Sequence, residues 1–440
     1  MLLSPSERGP RPAPPARQPH SEVSMLDSTI TQFLAEQQER ISGTDPHIAF
    51  SREEYAARLA RLQRAMDEDG VDTLVLSSPE AQNWLHGLAL RWYKANGPRD
   101  WRPLTCTVVR ADAGYILFEG VEHTEMIRRT SVAADVRLLP RYERGGMLRF
   151  IIGEITKEGW VRGSNVGLEM FSAIPNPAVS KMLEGALLDA GARVVDGTLT
   201  SRRVRMIKSA AEMRAVKKAA EICDAGLLHL ADVLRPGMTE LEAHGELIRG
   251  LSTAGGEPAG LHQVAFVGLA ALGVYHEISG RRVITEDDFL DVDPCGVYQR
   301  YHSNRSQLYA FKEPPKAAVE LMSILTGAFD ILTERARPGA RIGDVSAELF
   351  AYYRDAGVFE SNTSVWIGGY EMGIAFPPDW VGEWKFTVVG GEDDDRVFEA
   401  GMVANFESMC GIGLLDTFAV EEERTSLLSK LPHEIMVVGR

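Results

Sequence analysis

Apolar positions recur alternately at helical and at strand spacing through the first half of the chain. From residue 51, "SREEYAARLARLQRAMDEDG" sets Tyr55, Leu59, Leu62 and Met66 on one helical face. Ser51 and Glu54 have the spacing of a capping box, and Gly70 supplies a stop. "VDTLVLSS" then reads as a short buried strand, and "TCTVVRA", "GYILFEG" and "NVGLEM" continue the strand pattern between helical stretches. This alternation predicts an α/β domain over residues 49–200. Before it, residues 1–48 read as a disordered tail with a short helix around "LDSTITQFLAEQQERI".

The second half, residues 201–440, begins with a hinge and a long helix in "SRRVRMIKSAAEMRAVKKAAEICDAGLLHL". Ser209 and Glu212 make another capping box, and Met213, Val216, Ala220 and Leu227 carry the apolar face. Two later segments resemble each other, "LRPGMTELEAHGELIRGLSTAG" and "ARPGARIGDVSAELFAYYRDAG". Each has a Pro-Gly stop, a capped start and an amphipathic helix ending in Ala-Gly. Their separation of about 100 residues predicts a duplicated α+β unit with pseudo-twofold symmetry.

Composition narrows the function. The formal net charge of -15, with no long basic run, argues against nucleic acid or an anionic membrane as partner. No apolar run reaches the length of a membrane span. Cys106, Cys223, Cys295 and Cys410 are scattered without a CxxC pair, which argues against a zinc knuckle or disulfide framework and suits a reduced cytoplasm. The first 24 residues are rich in Pro and Arg and lack the apolar core of a secretory signal.

Several local patterns share one resemblance. "REEYAARLARLQRAMDEDGVDTLVLSSPEAQNWLHGL" resembles the opening of the N-terminal domain of creatinases and proline-specific dipeptidases. "RMIKSAAEMRAVKKAAEI", "GMVANFES" and "LDTFAVEEERTSLLSKLPHEIMVV" resemble the entry, an acidic strand and the closing hairpin of their "pita-bread" domain. "GYEMGIAFPPDWVGEW" and "PCGVYQRYH" most resemble ectoine hydrolases, which with the creatinases form the metal-independent branch. The resemblance implies an α/β N-terminal domain and an α+β pita-bread catalytic domain.

Peptidase members of this superfamily hold two divalent metals through Asp, Asp, His, Glu and Glu. By resemblance those positions fall on Asp293, Asn304, Tyr370, Glu407 and Leu415. Asp293 and Glu407 are the ligands that remain. Leucine cannot ligate, and an amide and a phenol do not offset the repulsion between two dications. Asp416 adjoins Leu415, but a strand neighbour points to the opposite face. A dinuclear site is therefore not expected, and no cofactor is.

The resemblance further implies His276 as general base and acid, since an imidazole can take a proton from water and return it to a leaving nitrogen. Glu407 would anchor a cationic centre, and Asp293 would be nucleophile, water-orienting base or cation anchor. Tyr370 can steady a tetrahedral intermediate. Tyr301 is a further candidate or a core aromatic, and His302 reads as structural. Trp380, in "PPDW", is a loop wall with an aromatic face for a planar or cationic substrate. In creatinases a loop of the partner subunit completes the site, so Arg102 is expected to hold a substrate carboxylate, with Trp92, Arg99 and Trp101 near the mouth of a homodimer. The expected activity is metal-independent cleavage of a C–N bond in a small polar amidine, guanidine or amide. The alternatives are a metal-dependent Xaa-Pro dipeptidase or aminopeptidase, and a pita-bread protein turned to binding or to another reaction.

Overall fold

A computed structural model of the protein describes residues 28–90, 104–140, 146–268, 278–360 and 365–439. The chain divides into a unit ending at Pro46 and a larger one from His47 onward. The first contributes a single described helix, α1 (Ser28–Ser42), with no buried side chain.

The larger unit opens with α2 (Arg52–Asp69), β1 (Thr73–Leu76) and α3 (Pro79–His86). There follow β2 (Cys106–Arg110), β3 (Tyr115–Gly120), α4 (Thr124–Thr130), β4 (Val136–Leu139) and α5 (Gly146–Lys157). β5 (Asn165–Leu168), α6 (Pro177–Asp189), β6 (Arg193–Asp196) and α7 (Thr198–Met206) complete this half. The strands form one mixed sheet in the order β4-β3-β2-β1-β5-β6. At the start of α2 the Ser51 side chain accepts from the Glu54 N–H, as the spacing predicts. The return half of that capping box gives way to tertiary contacts, because the Glu54 carboxylate accepts from Arg58 and from the Ser209 hydroxyl instead.

The second half starts with a helix pair, α8 (Ala210–Val233) and α9 (Glu240–Thr253). β7 (Val264–Val267), β8 (Phe289–Asp293), β9 (Cys295–Tyr298), β10 (Tyr301–Asn304) and β11 (Gln307–Ala310) follow. A second helix pair, α10 (Lys316–Arg335) and α11 (Ile342–Asp355), precedes β12 (Val365–Tyr370) and β13 (Lys385–Thr387). The last strands are β14 (Val403–Cys410), β15 (Ile412–Val420), β16 (Thr425–Leu427) and β17 (Met436–Val437). A four-stranded sheet, β17-β11-β8-β7, packs on the first helix pair, and a five-stranded sheet, β13-β12-β14-β15-β16, packs on the second. The repeat seen in the sequence is this helix-pair-and-sheet unit. In both copies the turn before the second helix carries a left-handed glycine, Gly237 (φ 93°) and Gly339 (φ 85°), where a side chain would strain the backbone. The copies differ at the cap: Thr239 and Glu242 form a full capping box, whereas Arg341 makes no side-chain cap.

β9 and β10 form a separate two-stranded hairpin, and β15 is stitched to this hairpin and to the residues entering β11. The Ser306 N–H donates to the Leu415 carbonyl and the Leu415 N–H to the Ser306 hydroxyl. The Asn304 N–H donates to the Thr417 hydroxyl, which donates back to the Asn304 carbonyl. Behind the β9–β10 hairpin, Gly296 lies against α8 so closely that an added Cβ would stand 1.9 Å from the Ala219 carbonyl oxygen.

Glu212 ties the two halves together. It is 1% exposed and lies in the first turn of α8. Its carboxylate closes the Ser209 capping box and accepts from Arg61, Trp84 and Tyr301 at 3.2, 2.9 and 2.8 Å. Burial pushes this carboxyl up, but Arg58, Arg61 and these donors more than offset it and hold it below the usual range. Replacing Glu212 by Ala would leave the part-buried Arg61 without its carboxylate and two buried donors, Trp84 and Tyr301, unmatched. The Glu212→Ala protein should lose about 3 kcal/mol or more of stability. Urea denaturation checks this, and a loss below about 1 kcal/mol would show that the hub is not structural.

Candidate functional site

The site is assembled by strand alternation. β8 ends on Asp293, and the β9–β10 hairpin returns the chain so that Asn304 lies opposite Cys295. Both central residues of that turn, Gln299 and Arg300, have positive φ (51° and 66°), the backbone sign a tight two-residue hairpin demands. The Glu257 carboxylate holds them there by accepting both their N–H groups. Asn304 then donates from Nδ2 to Asp293 Oδ1 at 2.6 Å and to the Pro294 carbonyl at 3.0 Å. Its Oδ1 is buried without a partner among the described residues.

On the neighbouring sheet, Glu407 pairs across the ladder with Gly368 on one side and Leu415 on the other. Cross-strand partners project from the same face, so the Leu415 side chain stands beside Glu407, fully buried. Asp416 points the other way, where it accepts from His433 at 3.0 Å. Glu407 is itself 7% exposed. It accepts from Asn405 Nδ2 at 2.9 Å and also takes hydrogen bonds from the Tyr370 hydroxyl and the Trp366 indole. Trp380 donates to the Tyr370 hydroxyl at 3.1 Å, which leaves that hydroxyl its own proton to give.

Burial raises the Glu407 carboxyl to about 7, the charge of Asp293 pushes the same way, and the three donors only partly oppose them. Burial likewise pushes the Tyr370 phenol well above its usual range, so it stays a neutral donor. The arrangement can therefore exchange a proton near neutrality, or bind a cation once both carboxylates are ionised.

The residues do not fit a pair of metal ions. Metal ligands must aim lone pairs at a common point, yet Asn304 aims an N–H at Asp293, and Asn405, Tyr370 and Trp366 aim theirs at Glu407. Leu415 offers only hydrocarbon. Among the described residues no group of three His, Cys, Asp or Glu side chains is disposed to hold a metal.

Asp293, Asn304, Tyr370, Glu407 and Leu415 are thus brought together. Tyr301 is not with them. It leaves β10 on the face opposite Asn304 and donates its hydroxyl to Glu212, 1% exposed in the joint between the halves. Trp380 is 3% exposed, so its ring is closed to stacking and it acts through Tyr370. His302 is structural: Nδ1 donates to the Arg300 carbonyl, Nε2 accepts from Gly260, and burial lowers its pKa to about 3. His276, Arg102, Trp92, Arg99 and Trp101 lie outside the described residues.

Three residues escaped the sequence reading. Asn405 and Trp366 touch Glu407 directly. Asn405 sits two positions before Glu407 in "ANFES", a same-face spacing that was available as a signal. Asp291, two before Asp293 in "DVDP", is fully buried with neither carboxylate oxygen hydrogen-bonded to a described residue. Burial and the Asp293 charge push its carboxyl well above the usual range.

Comparison with known proteins agrees with this architecture. The family description "Creatinase/Prolidase N-terminal domain" matches residues 58–207, and "Metallopeptidase family M24" matches residues 214–429. The chain is 24% identical to the "Ectoine hydrolase" of Halomonas elongata, over 89% of this chain and 98% of that protein. It is 26% identical to the "Probable dipeptidase PepE" of Mycobacterium tuberculosis, over 88% and 98%. Among solved structures, the X-Pro aminopeptidase of Thermotoga maritima superposes with a TM-score of 0.70 at 17% identity, covering 86% of this chain and 99% of that one. A dipeptidase of Pyrococcus horikoshii gives 0.71 at 18%, covering 87% and 100%.

The raised Glu407 carboxyl has a consequence for stability. The folded protein holds this proton more tightly than the unfolded chain, so the group's contribution is full at low pH and is lost as pH rises through about 7. Glu407→Gln cannot ionise, so its stability should gain on wild type with rising pH, reaching about 3 kcal/mol by about pH 9 and vanishing near pH 4. Thermal unfolding across that range tests this, and a difference independent of pH would refute it.

Proposed function

The chain belongs to the superfamily that joins a creatinase-type N-terminal domain to an M24 metallopeptidase-like catalytic domain, a family of hydrolases, and from that premise we propose that it hydrolyses a C–N bond in a small polar amidine, guanidine or amide without a metal. The observation that carries this reading is the engagement of the two carboxylates by neutral donors, Asn304 on Asp293 and Asn405, Tyr370 and Trp366 on Glu407, with Leu415 beside Glu407. Such a pocket suits an organic cation better than an inorganic one, because a delocalised cation needs hydrogen-bond acceptors and a fitted wall rather than a full ligand set. Likeness to a protein named ectoine hydrolase over most of both chains supports the same choice.

In this reading Asp293 and Glu407 anchor or polarise the cationic centre, and the Tyr370 hydroxyl faces the charge that develops on it. Water adds its oxygen to the carbon, and His276 takes the water's proton and passes it to the departing nitrogen. Trp92 and, from the partner subunit of a homodimer, the Arg102 loop close the site and hold a substrate carboxylate.

His276→Ala should abolish turnover of a small carboxylated amidine or guanidine while leaving the protein folded and dimeric. Full activity in that variant would sink the assignment. Protein purified without chelator should carry well under one equivalent of Mn²⁺ or Zn²⁺ and should keep its activity in EDTA. About two equivalents per chain with chelator-sensitive cleavage of an Xaa-Pro dipeptide would establish the peptidase reading instead.

A further inference from the structure

Beyond the catalytic pocket, on the other face of β12, lies a second cavity of ≈ 260 Å³. Adjacent residues of β12 and its extension divide the two. Tyr370 turns to Glu407, and Glu371 turns to this cavity, where it pairs with Lys208 at 2.5 Å. The other walls come from the start of α3, the 171–174 loop, the end of α7 and the 374–383 segment. The volume lies at the low end for a ligand site and suits a small metabolite.

The charged groups of the cavity do not all cancel. Arg202 is engaged by Glu383 at 2.8 Å and by the Phe171 carbonyl at 2.9 Å. Lys208 is engaged by Glu371, Glu212 by the donors described above, and Asp379 by the Trp380 and Val381 N–H groups. Arg205 and Glu80 remain. Arg205 makes no hydrogen bond or ion pair to a described residue, and its Nη1 is buried without a partner. Glu80 accepts only backbone N–H groups, its own and that of Phe376, the latter at 3.1 Å. Arg205 lies within the electrostatic reach of Glu80, but no ion pair joins them. A buried donor without a partner is costly, and so is a part-buried carboxylate with neutral donors and no cation on it.

A ligand that satisfies both groups must carry both charges. An anion would leave Glu80 unmatched, and a cation would leave Arg205. The walls also carry apolar side chains, with Ile174 and Phe376 inside and Phe171, 81% exposed, at the rim. We propose that this cavity binds a small zwitterion with an apolar side chain, its carboxylate on Arg205, its ammonium on Glu80 and its hydrocarbon against Phe171. The class is that of a free apolar amino acid. The site is separate from the catalytic pocket and shares with it the wall that runs from Tyr370 to Glu383.

Calorimetric titration of the full chain with L-leucine tests this, with isovalerate and isoamylamine as controls that keep the tail and one charge each. Leucine should bind, and each control should bind at least about tenfold more weakly. Arg205→Met and Glu80→Gln should each weaken leucine about tenfold or more, while Glu407→Gln leaves leucine binding unchanged. The comparison of the three ligands on wild-type protein needs no variant to fold. Absence of binding up to about 10 mM leucine would overturn the proposal. So would equal affinity for either control, or loss of binding in Glu407→Gln with retention in Arg205→Met.

Discussion

Two carboxylates of like charge, Asp293 and Glu407, share one nearly dry pocket. Electrostatics allows few ways to live with that. A pair of dications would neutralise them, but the surrounding residues cannot hold one. The remaining ways are to keep a proton and to surround the charge with neutral donors, and the protein uses both. Glu407 holds its proton up to about neutrality, and Asn304, Asn405, Tyr370 and Trp366 supply the donors. A donor cage costs less to bury than an unpaired charge. It also leaves the pocket able to trade its proton for a positively charged group brought by a substrate.

Much of this was legible in the chain. Helix punctuation marked α2, α8 and the repeated helix pairs, because caps and left-handed glycines act locally and leave a local signature. The company that Asp293 and Glu407 keep was legible too, since Asn304 and Leu415 stand at fixed offsets from them along strands. The alternation of a strand correctly separated Asp416 from Leu415. The same rule would have separated Tyr301 from Asn304, had the strand's bounds been known. What stayed hidden was set by pairing between distant strands. Trp366 reaches Glu407 only through the β12–β14 register, and that register is not written in either segment alone. The half-formed cap at Ser51 failed for a similar reason, because Glu54 is drawn to Ser209 across 155 positions of sequence.

The joint between the halves has a polar interior. Glu212 collects a cation, an indole, a phenol and a helix cap, and the cavity of Arg205 and Glu80 opens beside it. A joint of this kind is held by directional bonds as well as by apolar contacts such as Tyr301 edge-on against Phe50, so it has a defined geometry. The second half and the N-terminal half therefore meet in one arrangement, with the 371–383 segment touching both.

Gly296 shows how narrowly that geometry is held. The hairpin that carries Asn304 leans on the backbone of α8, with no room for even a methyl group between them. A larger residue there would not open a gap in the core; it would act as a shim, lifting the hairpin and carrying the Asn304 amide off Asp293. The position thus transmits a purely steric change at the back of the sheet into an electrostatic change at the front. Wherever that carboxylate geometry must be kept, this glycine is among the last residues free to vary, although it lies behind the hairpin and not in the pocket.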